Sequence, residues 1–198
     1  MNSKKDKIIL IGGGGHCKSV IDVIESENKF QILGILDDDE SKIGTYILGY
    51  KILGTGEDLA KFKNQTDFAI VTIGQVKNPE PRIRYFKLAQ DLGFFLPKIV
   101  SPFAIVSRHA KIGNGTVVMH GAIVNASAKV GENSILNSKS LVEHDAIVEN
   151  SCHISTGAIL NGGVLVGENS FIGSGAVCRE YTEIPKQSFI KANSIYKG

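Results

Sequence analysis

The second half of the sequence repeats every six residues, and this periodicity constrains the fold more than any other feature. The residue four places after each repeat position is small or short, as at Ala104, Ala110 and Thr116. Neither a helix with 3.6 residues per turn nor a strand with a period of two produces this pattern. The segment is therefore predicted to be a solenoid. Its repeat positions, all aliphatic, are Val100, Val106, Ile112, Val118, Val124, Val130, Leu136, Val142, Val148, Ile154, Leu160, Val166 and Ile172.

A six-residue unit has a simple physical form. A short flat strand is followed by a turn, the aliphatic residue points inward, and the small residue packs where nothing bulky fits. Three units complete one triangular coil, so residues eighteen apart stack at about 4.8 Å. The repeat covers roughly residues 100–177, and it resembles the left-handed parallel β-helix of hexapeptide acyltransferases. The alternative is a prism that serves only as a scaffold.

The first half of the chain predicts a small α/β domain. A strand over Lys7–Ile11 leads into four glycines and a helix over Cys17–Ser26, and a second strand, Phe30–Leu36, ends at an acidic run. Further strands are expected at Ile47–Leu53 and Phe68–Ile73, and further helices at Glu57–Lys63 and Pro81–Leu92. This alternation favours a parallel, Rossmann-like sheet. We therefore expect an α/β domain over residues 1–97 and a β-helix over residues 98–198.

The glycine run indicates a ligand smaller than a dinucleotide. The G-x-G-x-x-G fingerprint fails, because its third glycine would fall on Cys17 or Lys18. Backbone N–H groups at the start of a helix still suit a phosphate or another polar part of a nucleotide. The alternative is that the glycines only permit a tight turn between strand and helix.

Composition and charge exclude several classes of protein. The chain has 22 Lys and Arg against 20 Asp and Glu, a net charge of +2, so a nucleic-acid partner is not expected. The apolar run near the N-terminus is too short for a membrane span or a signal sequence. Three scattered cysteines indicate the reducing cytoplasm. Histidine and cysteine spacings typical of metal sites are missing, so no metal is expected.

His144 is the strongest catalytic candidate. It lies at a turn of the solenoid between Glu143 and Asp145, and a neighbouring carboxylate makes a histidine more basic and fixes its tautomer. Its stacking partner one coil later is Gly162, whose N–H can serve as an oxyanion donor. His153 lies half a coil further along the chain, so a neighbouring subunit would have to bring it to His144.

Three segments make a family resemblance specific. They are residues 137–145 (NSKSLVEHD), 153–158 (HISTGA) and 171–176 (FIGSGA). Together with Gly14-Gly15-His16, Asp37-Asp38, Gly74 and Arg82, they resemble the bacterial sugar O-/N-acyltransferases. That family includes enzymes that N-acetylate UDP-linked 4-amino-4,6-dideoxy sugars, and sialic acid O-acetyltransferases.

The resemblance implies that the two domains have different roles. It implies that the first domain holds a nucleotide-sugar through Gly14, Gly15, His16, Asp37, Asp38, Gly74 and Arg82. It implies acetyl-CoA as co-substrate, with direct transfer by His144, Asp145 and Gly162 and with Asn137 as a further substrate contact. His153, Gly162, Gly173 and Ser174 are implied as acetyl-CoA contacts. The resulting prediction is an N-acetyltransferase of a UDP-linked amino sugar; O-acetylation and a non-catalytic nucleotide-sugar-binding solenoid remain alternatives.

A homotrimer is expected as well. Apolar residues recur at the sixth position of the repeat, where side chains point outward from a flat face. Threefold packing would bury this row. Its members are Ile135, Leu141, Ile147, Ile159, Leu165 and Phe171.

Overall fold

The structure is a computed structural model that describes residues 5–198, and the chain divides into two units. The first unit extends to Gly74 and resumes over Glu80–Pro97. The second contains Gln75–Pro79 and Lys98–Gly198. The short segment Gln75–Pro79 thus belongs with the repeat region, although it precedes the last helix of the first unit in the chain.

A five-stranded sheet forms the first unit. The interior strand β1 (Asp6–Ile11) pairs in parallel with β2 (Phe30–Leu36) and with the later strand Phe68–Val71. Two short strands, β3 (Tyr46–Ile47) and β4 (Tyr50–Gly54), extend the sheet beyond β2, and Phe68–Val71 is β5, which gives the order β3-β4-β2-β1-β5. Residues 8–11 of β1 are completely or almost completely buried, as expected of an interior parallel strand. The predicted α/β class is confirmed.

Two helices complete this unit. α1 (Gly15–Glu27) begins directly after the glycine loop and buries one apolar face, and it ends where Asn28 adopts a left-handed conformation. α2 (Glu80–Asp91) buries Arg82, Tyr85, Phe86 and Ala89. A single 3-10 turn spans Glu40–Lys42, and a 3-10 helix over Gly56–Phe62 lies where a helix over Glu57–Lys63 was predicted. None of the helices among residues 5–198 has the length and apolar character that crossing a membrane requires.

The predicted strand over Ile47–Leu53 is wrong in one respect. The chain reverses at Leu48 and Gly49, with φ of +46° and +86°, so that β3 and β4 form an antiparallel hairpin. Positive φ at both central residues gives the turn whose twist matches the flanking strands. Leucine seldom occupies such a position, and for this reason the turn was not visible in the sequence.

The second unit is a triangular prism of short parallel strands, the predicted left-handed β-helix. Partner strands lie eighteen residues apart, as in the pairing of Ile123 with Leu141. The first face contains Ile99–Val100, Val117–Val118, Ile135–Leu136, His153–Ile154, Phe171–Ile172 and Phe189–Ile190. The second face contains Ile105–Val106, Ile123–Val124, Leu141–Val142, Ile159–Leu160, Val177–Cys178 and Ile195–Tyr196. The third face contains Lys111–Ile112, Lys129–Val130, Ile147–Val148, Leu165–Val166 and Glu183–Ile184.

The repeat positions fill the interior of the prism. Val118, Val142 and Leu160 are fully buried in one apolar cluster, together with small residues such as Ala146 and Ala158. The aliphatic position and the small position of the repeat therefore correspond to the two inward-facing positions of each six-residue unit. The turns that lead from the second face to the third are called the His144 edge below; they comprise residues 107–110, 125–128, 143–146, 161–164 and 179–182.

The prediction of one row of outward apolar residues is wrong, because the six residues lie two on each of the three faces, and they are only partly exposed. Ile135 is completely buried and Phe171 is 8% exposed, so these two first-face residues leave little surface to cover. Phe171 instead packs between the rings of His153 and Phe189. The second face keeps its outward apolar residues half-buried or exposed: Ile105, Ile123, Leu141, Ile159, Val177 and Ile195.

Candidate active site

A cavity of about 280 Å³ opens at the carboxyl ends of β1, β2 and β5. Open α/β sheets bind ligands at this end of their strands. Four of the predicted substrate residues, Gly14, Asp37, Asp38 and Gly74, line this cavity. The complete lining is Ile11, Gly12, Gly13, Gly14, Leu36, Asp37, Asp38, Ile73, Gly74, Pro81 and Tyr85.

Asp37 fixes the glycine loop. Its Oδ2 accepts a hydrogen bond of 2.7 Å from the Gly13 N–H, and its Oδ1 accepts from the Asp39 N–H at 3.1 Å and from Lys42 Nζ at 3.2 Å. A carboxylate can accept about four hydrogen bonds. Most of the capacity of Asp37 is therefore used to shape the loop around the cavity.

Asp38 is engaged by Tyr85, a residue that the sequence analysis missed. The Tyr85 hydroxyl lies 2.6 and 2.7 Å from the two carboxylate oxygens of Asp38, and the Gly56 N–H donates to Oδ1 at 3.1 Å. Burial, and then the bond to Asp38, raise the pKa of Tyr85. Tyr85 lies on the buried face of α2, where its sequence position is that of an ordinary core residue.

The other three substrate residues predicted in the first domain lie around the cavity rather than in its lining. Gly15 is the first residue of α1, and His16 packs against Gly74, where an added Cβ would lie 3.4 Å from His16 Cβ. Arg82 is completely buried and donates to the carbonyl oxygens of Val71 and Ile73 at 2.9 Å. Arg82 thus holds the chain where β5 leads to Gly74, and burial lowers its pKa to about 9.

His144 and Asp145 form a hydrogen-bonded pair on the His144 edge. His144 Nδ1 lies 2.8 Å from Asp145 Oδ2, and the two side chains are 56% and 64% exposed. Because the carboxylate can only accept, Nδ1 carries the proton and Nε2 keeps its lone pair. An imidazole oriented in this way can take a proton at Nε2, as a general base does.

Gly162 lies directly beneath the His144 ring. A Cβ at Gly162 would be 2.7 Å from Cε1 and 2.8 Å from Nε2 of His144, so any other residue would displace the imidazole. Gly162 is also buried. Within the part of the chain that the structure describes, its N–H donates to no other group. A base and a free N–H donor are therefore adjacent on this edge, as the eighteen-residue stacking predicted.

Glu143, which precedes the base in the same turn, is held by Asn125 of the preceding coil. Glu143 Oε2 accepts from Asn125 Nδ2 at 2.8 Å and from the His144 N–H at 3.2 Å. Asn125 was not predicted, although it stacks eighteen residues before Glu143, and that spacing was the available signal.

His153 lies on the first face in a chain of hydrogen bonds. Its Nδ1 is bonded to the Gln75 carbonyl oxygen, and its Nε2 lies 3.2 Å from Asn137 Nδ2. Because a carbonyl only accepts, Nδ1 carries the proton and Nε2 accepts from Asn137. Asn137 Oδ1 accepts from the Ser138 N–H at 2.8 Å, and Gln75 Nε2 donates to the Ser151 carbonyl at 2.8 Å. The prediction missed Gln75, whose contacts are distant in sequence.

Gly173 and Ser174 lie on the turn that follows the first face. The Gly173 N–H donates to the Ile190 carbonyl at 2.9 Å, and its Cα packs against the next coil so closely that a Cβ would be 2.5 Å from the Ala192 nitrogen. Ser174 is exposed, with Oγ 2.9 Å from Ser155 Oγ. Ser174 therefore offers a polar group to a ligand, whereas the Gly173 N–H is already used in the prism.

One chain does not bring the two groups of prism residues together. The His144 edge joins the second face to the third, so in a triangular prism it lies opposite the first face that carries His153. Asn137, Gly173 and Ser174 follow first-face strands as well.

The cysteines and acidic residues suggest no other chemistry. Cys17, Cys152 and Cys178 are free and buried, and burial raises their pKa values to about 11, 12 and 11. Such thiols are poor nucleophiles at neutral pH. Over residues 5–198, His, Cys, Asp and Glu form no group of three that could hold a metal ion.

Comparisons with known proteins relate both units to sugar-modifying enzymes. Residues 7–87 match the family described as the PglD N-terminal domain. The acetyltransferase domain of PglB from Neisseria gonorrhoeae is 33% identical, with 98% of this chain and 92% of that chain covered and a TM-score of 0.90. The same domain in complex with acetyl coenzyme A is 32% identical, with coverages of 98% and 95% and a TM-score of 0.88.

PerB from Caulobacter crescentus, solved in complex with CoA and GDP-perosamine, is 30% identical. The match covers 96% of this chain and 88% of that chain, with a TM-score of 0.89. Among proteins with curated descriptions, none gave a significant match.

Proposed function

Because the chain belongs to the hexapeptide-repeat sugar acyltransferase family, we propose that it is an acetyl-CoA-dependent N-acetyltransferase of a nucleotide-linked amino sugar. The observation that carries this proposal is the His144–Asp145 pair resting on the bare backbone of Gly162. The similar PglB domain binds acetyl coenzyme A, and the similar PerB binds CoA and GDP-perosamine. An acyl donor and a nucleotide-linked amino sugar are the two substrates that an acetyl transfer to an amino sugar requires.

The proposed reaction is a direct transfer. The amine nitrogen attacks the thioester carbonyl carbon, a C–N bond forms, and the C–S bond breaks. The amine proton passes to His144 Nε2 and then to the sulfur, so that CoA leaves as the thiol. The Gly162 N–H stabilises the oxyanion, and Asp145 stabilises the imidazolium. No acetylated cysteine is needed, in keeping with the buried thiols.

An amine acceptor is favoured over a hydroxyl. The pKa of a sugar hydroxyl lies far above neutrality, whereas an amine is partly unprotonated at neutral pH. A single histidine can therefore serve as the base for an amine more easily than for a hydroxyl. O-acetylation of a sugar hydroxyl is the alternative reaction within the same family.

We assign nucleotide binding to residues 1–97 and acetyl transfer to residues 98–198. The cavity at the carboxyl ends of the strands supports the first assignment, with Gly14, Gly15 and the start of α1 facing the phosphates. Because the sequence resembles enzymes that act on UDP-linked 4-amino-4,6-dideoxy sugars, we propose such a sugar as acceptor. The GDP-sugar bound by PerB is the competing possibility.

We further propose that the active site is shared between chains of a homotrimer. His144 lies on the edge opposite the first face, so a second copy must bring Asn137, His153 and Ser174 to it. The outward apolar residues of the second face provide a surface for this association. Free thiols are consistent with action in the cytoplasm.

The test is to incubate the protein with acetyl-CoA and a panel of UDP-, dTDP- and GDP-linked amino sugars while following thiol release. We expect release with a UDP-linked 4-amino sugar and a product heavier by one acetyl group. Preference for the GDP-linked sugar would correct the nucleotide alone. Activity only on a non-nucleotide sugar alcohol would overturn N-acetylation, and no release with any acceptor would favour a non-catalytic binding protein.

A further inference from the structure

Tyr181 is a large residue at a turn position of the His144 edge where the backbone is regularly left-handed. Its φ is +55°, in the left-handed region where the Cβ of a bulky residue crowds the following carbonyl oxygen. The same position on the three preceding coils holds Ser127, Asp145 and Gly163. These three residues have positive φ as well, +65°, +60° and +68°, so only the size of the side chain distinguishes Tyr181. Tyr181 thus places a large ring where the other coils have small or polar residues.

The ring of Tyr181 lies on bare backbone next to the proposed reaction centre. A Cβ at Gly163 would be 2.5 Å from Cδ1 and 2.6 Å from Cε1 of Tyr181. The imidazole of His144 covers the adjacent Gly162 in the same way. Consecutive Cα atoms are about 3.8 Å apart, so the two rings flank one short stretch of backbone. His144 approaches it from the preceding coil and Tyr181 from the following coil.

Most of the Tyr181 side chain remains available to a ligand. It is 77% exposed, and within residues 5–198 its hydroxyl has no hydrogen-bond partner. The contact with Gly163 uses part of the ring surface and leaves the remainder open. A side chain that served only to fill space in the prism would be expected to bury more of its area.

We propose that Tyr181 is a wall of the acyl-donor subsite and limits the size of the acyl group that the enzyme transfers. The inference rests on the proposed function, because it places the thioester carbonyl at the Gly162 N–H. With the attacking amine beside His144, the acyl chain and the sulfur must extend away from His144. Tyr181 is the side chain that lies on that side of Gly162 and Gly163. An acetyl group ends before the ring, whereas a longer chain meets it.

The test compares acetyl-, propionyl- and butyryl-CoA with a UDP-linked 4-amino-4,6-dideoxy sugar as acceptor. Tyr181→Gly removes the ring and accepts the positive φ without strain. Its kcat/KM for butyryl-CoA relative to acetyl-CoA should rise by about tenfold or more, since one methylene in a pocket changes rates by about 10–200-fold. Tyr181→Phe should keep the parent ratio. Phe103→Ala, which removes a 69% exposed ring at the start of the prism, is the matched control.

The outcomes separate this inference from the proposed function. A purely structural role of Tyr181 would lower the rates with all three donors by one factor, and an unchanged ratio in Tyr181→Gly overturns the inference. Absence of thiol release by the parent protein with every amino sugar would overturn the proposed function instead. In that case isothermal titration calorimetry still tests the role of Tyr181. The affinity for butyryl-CoA relative to acetyl-CoA should be higher in Tyr181→Gly than in the parent protein, and an unchanged ratio of affinities would overturn the inference.

Discussion

At the scale of single residues, the orientation of one imidazole determines the proposed chemistry. Asp145 holds the proton of His144 on Nδ1, and Gly162 leaves room for the ring. These two contacts act on the same side chain from different coils. Each can be removed separately, so their contributions can be measured.

The first prediction concerns the base itself. His144→Ala should lower kcat by about 10²–10⁴-fold, the range for losing a general base. Assembly should be unchanged, because the outward apolar residues of the second face, and not His144, provide the proposed contact between copies. Asp145→Asn should cost less, since the base remains and only its orienting carboxylate is lost. Steady-state kinetics with light scattering on the same samples checks this. Full activity of His144→Ala at every pH would refute the assignment.

The second prediction concerns the room beneath the ring. Gly162→Ala would place a Cβ 2.7 Å from His144 Cε1 and push the imidazole from its position. We expect kcat to fall while far-UV circular dichroism stays unchanged. If the effect acts through His144, the double variant with His144→Ala should be no slower than His144→Ala alone. Additive losses would mean that Gly162 acts independently of the ring.

At the scale of elements, the segment Gln75–Pro79 gives the prism one of its hydrogen-bond acceptors. The Gln75 carbonyl fixes the tautomer of His153, and the Gln75 side chain anchors the segment to the Ser151 carbonyl. A backbone carbonyl of a short connecting segment therefore determines which way the His153–Asn137 pair is polarised.

The third prediction tests this anchor. Gln75→Ala should weaken acetyl-CoA binding, because Ser151 loses its partner and the segment no longer holds His153 in one orientation. Val76→Ala, a change at a 54% exposed neighbour, is the matched control. Isothermal titration calorimetry with acetyl-CoA should separate the two variants. Equal affinities would show that the anchor does not affect the acetyl-CoA site.

The fourth prediction concerns the thiol inside one coil. Cys152 donates to the Gly167 carbonyl at 3.2 Å, and burial raises its pKa from 9.0 to about 12. The unfolded chain therefore ionises this thiol first as the pH rises. Its contribution to stability is present below pH 9 and is lost progressively toward pH 12. Urea unfolding of the parent should show a steeper alkaline loss than Cys152→Ala, and the variant should remain active. Equal slopes would contradict the assigned burial effect.

At the scale of the whole molecule, the prism separates the two parts of the proposed acetyl-transfer site. His144 and His153 lie on opposite sides of the triangle, and the exposed second face offers an apolar contact surface. A homotrimer accounts for both observations, because each copy can supply the edge to one neighbour and the face to the other.

The fifth prediction follows from this arrangement. Light scattering should return about three times the mass of one chain, and Ile159→Lys on the second face should dissociate the assembly. His144→Ala and His153→Ala should each be inactive alone, and their co-expression should restore part of the activity in mixed trimers. Ser107→Ala, a change in a turn at the start of the prism, is the control for assembly. Failure to complement would place both residues of a working site in one chain.

The sequence alone determined the architecture of the prism and the pairing of His144 with Gly162. In a solenoid each coil contacts only its neighbours, so residues eighteen apart stack wherever the repeat is unbroken. The strand–glycine–helix start of the first unit was readable for a similar reason, since glycine and a following amphipathic stretch act locally.

Only the tertiary structure decided what the repeat does not specify. Tyr85 reaches Asp38 across 47 residues, and Gln75 reaches His153 across 78 residues. Ile135 and Phe171 are buried although their repeat positions point outward. In the Tyr85–Asp38 and Gln75–His153 contacts, the partner comes from a part of the chain with no fixed spacing to the residue that it contacts. Periodicity reports neighbours at constant separation, whereas these contacts depend on how separate elements pack, and that information is not local in the sequence.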